Sequence, residues 1–320
     1  MRYAKKVMSK NTSSKTEHLS AYYVEMKKNI DRPKESVHRL DDNGILMYKI
    51  PYTKEFNYYP VSIALFALGN FEMHLETKDT NYKDSFLKQA DWLVNNVKIE
   101  TKGFGVWEHN FTLPYYKFKT PWIHGMAQGL AISVLLRAYQ LTDDKKYLDV
   151  AEKSYKAFEE NIENGGVRFV DEEGSAWIEE YAIIPPPHVL NGFLFAVFGI
   201  YDFYRVTKSK DALNLFNNEI STLEKNIQRY DMGYWSLYNL LDRIPATKPY
   251  HELHIKQLNV LHKLTNKEIF KKYSAQWEKY LQSSQNTRKA KIKRGLNHIK
   301  QYGITGSINR YLLVKKWRKK

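Results

Sequence analysis

The chain has 320 residues, 43% of them apolar and 14% aromatic, with 24 Tyr and no Cys. That composition excludes a disordered chain, a disulfide framework, thiolate catalysis and Cys-held zinc or iron–sulfur sites. The formal net charge of +15 is concentrated at one end: 288–320 holds 12 Lys/Arg and no Asp/Glu, leaving 38 basic against 35 acidic residues in a nearly neutral remainder.

In chain order, the first 58 residues begin polar and basic and read as an N-terminal arm. No window anywhere approaches the roughly 18–20 apolar residues of a membrane span, so the expected location is cytoplasmic. From 59 to 284 one unit recurs four times: an apolar helix ending at a Thr, then an amphipathic helix. The pairs are 61–76 with 82–97, 123–141 with 145–162, 188–206 with 210–227, and 254–264 with 267–281. The junction threonines Thr77, Thr142, Thr207 and Thr265 are separated by 65, 65 and 58 residues, with Asp, Ser or Asn close by to cap the second helix.

The second members carry one apolar face at helical spacing, as in Tyr82, Phe86, Ala90, Leu93 and Val97. The first members are apolar around more of their circumference and hold small residues, as in Gly125-Met126-Ala127-Gln128-Gly129, so they are buried on several sides. Inner helices alternating with outer ones predict a mainly all-α fold, an α/α toroid of about four helical hairpins around a funnel. At one rim the joints are short. At the other, the connections 98–121, 163–187 and 228–250 are long and include strand-like pieces that predict short β-hairpins, and long connections are where function concentrates.

Those three connections collect Trp107, Tyr115 and Tyr116; then Arg168, Trp177, Glu179, Glu180 and Tyr181; then Tyr230, Tyr234, Trp235, Tyr238, Arg243 and Tyr250, followed at once by His251 and His254. Aromatic rings over a cleft offer platforms for sugars, and Tyr and Glu can exchange protons. His251 and His254 have no third ligand at motif spacing, so no metal is expected, and the absence of a Gly-rich phosphate cradle predicts chemistry without a nucleotide cofactor.

These residues carry a resemblance. From about 59 to 281 the chain resembles the catalytic C-terminal domain of the D-glucuronyl C5-epimerases of heparin and heparan sulfate biosynthesis. The matching blocks run from Gly125-Met126-Ala127-Gln128-Gly129 to Arg137-Ala138-Tyr139, from Trp177-Ile178-Glu179-Glu180-Tyr181 through Val189-Leu190-Asn191-Gly192-Phe193 to Tyr201-Asp202, and from Leu237-Tyr238 through Tyr250-His251 to His254-Ile255-Lys256-Gln257-Leu258. The family's essential Glu-Tyr pair falls on Glu180-Tyr181, and its two further tyrosines on Tyr238 and Tyr250. The resemblance implies a toroid that binds an anionic polysaccharide or oligosaccharide and interconverts D-glucuronate and L-iduronate residues without a cofactor. Two departures stand out. The animal enzymes' large N-terminal β-domain has no counterpart in the 58 preceding residues, and the family's Tyr-Asp-Leu-Arg becomes Tyr238-Asn239-Leu240-Leu241, with Arg243 the nearby candidate for the missing arginine.

Inversion at C5 removes a hydrogen from one face and returns a proton to the other. Glu180 and Tyr250 are the expected pair, with Tyr181 and Tyr238 donating hydrogen bonds to the carboxylate or ring. A free Tyr titrates near 10, so a basic Tyr250 calls for help from His251, His254 or Arg168. His124, Gln128, Arg168, Trp177 and Arg243 are the further candidates for substrate contact. A uronate lyase, which abstracts the same proton and expels the C4 substituent, is the alternative within enzymology; a non-catalytic binder of anionic glycan or membrane is the alternative outside it. The tail 288–320 mixes cations with Ile292, Leu296, Ile299, Ile308, Leu312, Leu313, Val314 and Trp317, which suits peripheral contact with anionic lipid at the inner membrane face. Nucleic acid is not an expected partner, because no recognition module accompanies the tail. The oligomeric state is left open, a homodimer included.

Overall fold

The computed structural model describes residues 16–50, 54–112, 120–297, 299–300 and 303. Tyr115, Tyr116 and the tail residues Ile308, Leu312, Leu313, Val314 and Trp317 lie outside them.

Four helical hairpins follow one another: α1 (Pro60–Thr77) with α2 (Thr80–Asn95), α3 (Gly125–Thr142) with α4 (Lys145–Tyr155), α5 (Leu190–Thr207) with α6 (Lys210–Asn226), and α7 (Lys248–Thr265) with α8 (Glu268–Gln282). Each inner helix has 18 residues and ends on the expected threonine. The repeat has a local cause. Each Thr hydroxyl donates to the carbonyl four residues back, at 2.7–2.8 Å, and accepts the amide two residues on, at 3.2–3.3 Å. Between them Lys78, Asp143, Lys208 and Asn266 turn the chain in the left-handed region, with φ of 64°, 57°, 58° and 54°. Asp79, Asp144 and Ser209 then cap the outgoing helices by accepting amides of their first turns.

Neighbouring inner helices pack in chain order, α1 on α3, α3 on α5 and α5 on α7. The tightest approach is α3 against α5. A Cβ on Gly199 would lie 2.4 Å from Gly129 Cα, and one on Gly129 would lie 2.6 Å from Ala196 Cα, so the backbones nearly touch. Across the same seam Arg137 Nη1 meets Asp202 Oδ2 at 2.6 Å, both fully buried. Such a pair is destabilising to break, because either partner alone is a buried unpaired charge.

Two expected boundaries differ. Helix α7 begins at Lys248, not at 254, because Pro249 suits a first helical turn, and this moves Tyr250 and His251 from a loop onto a helix. Helix α4 stops at Tyr155 and gives way to 3-10 turns at Lys156–Phe158 and Ile162–Asn164. The long connections carry β4 (Lys98–Ile99) with β5 (Gly105–Val106) and β6 (Arg168–Val170) with β7 (Ala176–Ile178); the third has isolated bridges, Asp231 to Ser236 and Leu237 to Pro245.

Of the first 58 residues, read from sequence as an arm, 16–50 and 54–58 are described and pack along the ring. Glu17 pairs with Arg205 and Lys208 at the short-joint end, and Tyr23 donates to Asp202 at 2.6 Å. A 3-10 segment, Lys27–Lys34, then packs against α1 and leads into an antiparallel meander of β1 (His38–Leu40), β2 (Leu46–Lys49) and β3 (Phe56–Tyr58). This sheet had no clear alternation to announce it. At the other end, 284–297 are helical. Ala290 packs with Trp235 and Ala246, and Arg294 and Asn297 donate to the carbonyls of Pro245 and Arg243 at 2.8 and 3.3 Å.

Candidate active site

Because every hairpin reverses direction, the four inner helices point their N-termini at the long-loop rim. A cleft of about 580 Å³ opens there, lined by residues from the first turns of α1, α3, α5 and α7 together with the loop carrying Glu180 and Tyr181 and with Arg32 and Tyr48 of the N-terminal segment. Converging helix N-termini supply partial positive charge, which favours an anionic occupant.

Glu180 is the buried acid of this cleft, 4% exposed. Strand β7 leads into it, and the extended chain alternates sides. Glu179 turns inward, where its carboxylate accepts the amide and Nδ1–H of His188; Glu180 turns to the cleft. The stretch is fixed against α3 by Gly125, whose amide donates to the carbonyls of Glu179 and Glu180 at 3.1 and 3.0 Å. Two glycines make the room. A Cβ on Gly125 would stand 2.3 Å from the Glu179 carbonyl, and one on Gly192 would stand 2.0 Å from Glu180 Oε2.

Around the carboxyl group, the Tyr238 hydroxyl donates to Oε1 at 3.4 Å and Asn191 Nδ2 approaches Oε2 at 3.5 Å. His124 Nε2 lies 3.5 Å from Oε1. His124 also caps α3, its Nδ1 accepting the Ala127 amide, so Nε2 carries the proton and faces Glu180. Burial drives the His124 pKa well below its usual range, so the neighbour is a neutral imidazole and not a cation. Burial therefore dominates Glu180 as well: its pKa is pushed up to about 8, against the opposing hydrogen bonds of Tyr181 and Tyr238.

Tyr250, in the first turn of α7, is 39% exposed, into the cleft, and its ring lies 5.2 Å from that of Tyr238. Poor solvation raises its pKa to about 12, Glu180 adds to the rise, and Arg294 and Arg32 oppose it. The expected depression by His251, His254 or Arg168 does not occur. His251 and His254 lie on the buried face of α7, where both engage the Ser236 hydroxyl, at 2.7 and 2.9 Å; His251 Nε2 meets the Trp277 carbonyl at 3.0 Å and its ring stacks on Trp235. Burial lowers both, His251 to about 4, so neither is charged near neutrality. The charge of Arg168 acts instead on buried Glu219, whose pKa burial raises well above the usual carboxylate range with Arg168 opposing the rise.

The structure thus brings Glu180, Tyr181, Tyr238, Tyr250 and His124 together, and corrects several proposed substrate contacts. Gln128 is fully buried: its Oε1 accepts the Trp107 amide and its Nε2 donates to the Gly105 and Ser154 carbonyls, fastening the β5 loop. Trp177 is a core ring that donates to Asp171 and packs on His188 and Phe193. Arg168, His251 and His254 do not line the cleft, for the reasons above, and Arg243 is exposed outside it at a positive φ of 49°. What sequence reasoning missed comes from the N-terminal side of the ring, Arg32, Tyr48 and Tyr59, and from within a quoted block, Asn191 with Gly192. For the last two the block Val189-Leu190-Asn191-Gly192-Phe193 was signal enough; for Arg32 and Tyr48 no local pattern existed.

Comparison with known proteins agrees with this geometry. Residues 100–279 match the family model for the D-glucuronyl C5-epimerase C-terminus. A D-glucuronyl C5-epimerase of Caenorhabditis elegans is 31% identical over 249 residues, 68% of this chain but only 39% of that protein. An uncharacterized protein of Methanocaldococcus jannaschii is 32% identical over 223 residues, 65% of this chain and 72% of its own. The fold is shared with D-mannose isomerase (TM-score 0.53, 11% identity, 94% of this chain and 87% of that one) and with cellobiose 2-epimerase of Bacillus thermoamylovorans (0.52, 12%, 85% and 68%). An α-mannanase of Bacteroides thetaiotaomicron has it too (0.53, 11%, 79% and 64%). With the match spanning the loops that carry Glu180 and Tyr238 and the helix that carries Tyr250, the chain belongs to the family of D-glucuronyl C5-epimerase C-terminal domains.

Proposed function

We propose that this protein is a cofactor-independent uronate C5-epimerase that converts D-glucuronate to L-iduronate residues within a polysaccharide or oligosaccharide. The observation that carries the reading is a buried carboxyl, Glu180, with a pKa near 8, sharing one cleft with a protonated phenol, Tyr250, and bridged to it by Tyr238. The two groups have the pKa separation that assigns opposite roles at one pH. Ionised Glu180 takes the C5 proton, and Tyr250 delivers one to the other face. Tyr250 is left as phenolate and Glu180 as acid, and exchange with solvent restores both. The carbanion-like state places added negative charge on the uronate carboxylate; the Tyr181 and Tyr238 hydroxyls, which hydrogen-bond Glu180 while it is ionised, are released to donate to that charge once Glu180 has taken the proton.

The test is NMR of uronate polymers, heparosan first, incubated with the protein in heavy water. Deuterium at C5 together with ido-configured signals supports the proposal; unsaturated uronate with an absorbance rise would establish a lyase instead, and no exchange on any uronate polymer would remove the enzymatic reading.

A second surface bears on where the substrate is met. Helix 284–297 packs one side on the third loop and leaves Ile292 and Leu296 54% and 55% exposed between Lys291, Lys293 and Arg288. Among the described residues no helix is long and apolar enough to cross a membrane. We propose that this cationic, apolar-striped face rests on anionic lipid beside the cleft. Sedimentation with phosphatidylglycerol vesicles but not with phosphatidylcholine vesicles, weakened in the double variant Ile292→Ser with Leu296→Ser, is the expected result; equal recovery with both lipids would refute it.

A further inference from the structure

Arg32 enters the cleft from outside the four hairpins, on the 3-10 segment that packs against α1. Its side chain is half-buried and held at two points. Nε donates to Asn29 Oδ1 at 2.8 Å, and Nη1 meets His38 Nε2 at 3.2 Å. His38 is itself oriented by Glu35, 3.0 Å from Nδ1, so Nδ1 carries the proton and Nε2 accepts from Arg32. Burial keeps His38 neutral, its pKa near 4. Among the described residues both partners of Arg32 are therefore uncharged, and no carboxylate lies within ion-pair distance. Glu35, beyond that distance, acts on it through its charge alone, and the groups that face it across the cleft are the phenols of Tyr48, Tyr59 and Tyr250.

A half-buried guanidinium loses hydration, and a fork with Nη2 still available matches a carboxylate in two-point geometry. The other cation lining the cleft, Lys256 of α7, is exposed. His124, the third basic residue at the site, is neutral.

We propose that Arg32 is the specificity-determining residue of this cleft, its guanidinium binding the carboxylate of the uronate ring that undergoes reaction. The inference rests on the uronate reading above and deepens it: a segment outside the helical repeat, and not a loop of the rim, selects the acidic sugar. Asn29 and His38 are positioning residues that aim the fork.

The test compares binding of a glucuronate-containing oligosaccharide with that of the same oligosaccharide after carboxyl reduction to the neutral sugar, by calorimetry on the full chain. Wild type should prefer the acidic form. Arg32→Gln should lose about 10- to 100-fold of that preference, the range expected for a charged hydrogen-bonded pair, with affinity for the neutral form unchanged. Arg32→Lys should retain part of it, and melting temperatures should show that both variants fold. Full preference in a folded Arg32→Gln, or loss of preference in Lys256→Gln instead, would overturn the assignment while leaving the uronate reading intact. If wild type itself does not distinguish the two oligosaccharides, the uronate reading fails and the role of Arg32 falls with it.

Discussion

The two rims of the ring are built by opposite rules. At the short-joint rim the same device is used four times: a Thr lock, a left-handed residue, and in three of the four a capping side chain on the next helix. At the long-loop rim no two connections are alike, and the buried or poorly solvated titrating groups Glu180, His124 and Tyr250 gather there. The repeat makes a scaffold whose inner helices all start at one level. The departures from it make the site. A substitution at the first rim should therefore cost stability alone, whereas one at the second should cost turnover in excess of stability.

The largest effect separating the rims is expected at Glu180. Glu180→Gln should lower C5 exchange by about 10³-fold or more, the scale of removing an essential proton-transfer group. The fold should survive, and its pH dependence has a definite sign. Folding raises this carboxyl from 4.5 to about 8, so the stability it contributes is complete below about 4.5 and is lost as pH climbs through 8. Glu180→Gln should accordingly melt higher than wild type at pH 9, relative to their difference at pH 4. A variant that melts lower by the same margin at both values would contradict a desolvated carboxyl.

Next in size is Gly192→Ala. Its Cβ has no room beside Glu180 Oε2, so the carboxyl must shift, and misplacement on the order of 1 Å costs about 10²-fold in rate. Activity within threefold of wild type would show that the carboxyl position is unimportant. Within the scaffold, Asp202→Asn strands the buried Arg137 charge and should cost about 3–5 kcal/mol in denaturant unfolding. The smallest effect is expected at the short-joint rim itself. Asp144→Ala removes one helix cap, worth about 1 kcal/mol, and should leave kcat unchanged. A loss of turnover there beyond what reduced stability explains would break the division between rims.

Legibility in the sequence followed the same division. Thr77, Thr142, Thr207 and Thr265 announced the hairpins because a repeated local hydrogen-bond pattern leaves a repeated residue. Glu180, Tyr181, Tyr238 and Tyr250 were found through a resemblance extending over whole blocks, not through any spacing. Burial is what sequence could not supply. His251 and His254 looked like helpers of Tyr250 because they are its neighbours in the chain, but helix α7 turns them inward to Ser236 while Tyr250 faces the cleft. Gln128 sat in a matching block and proved to be a fastener of the β5 loop. Arg32 was invisible because its distance from Glu180 along the chain is bridged only by the path of residues 16–34 along the ring, a tertiary fact with no periodic signature.

The central claim is that Glu180 is a carboxyl poised by burial to exchange the C5 proton, and it is tested most directly by the pH profile of C5 deuterium exchange on a uronate polymer. If Glu180 must be ionised to act as base, kcat/KM should rise about tenfold per pH unit up to a bend near 8 and then level, and Glu180→Gln should abolish the exchange. A bend in the ordinary carboxylate range near 4.5, or undiminished exchange in Glu180→Gln, would contradict the account.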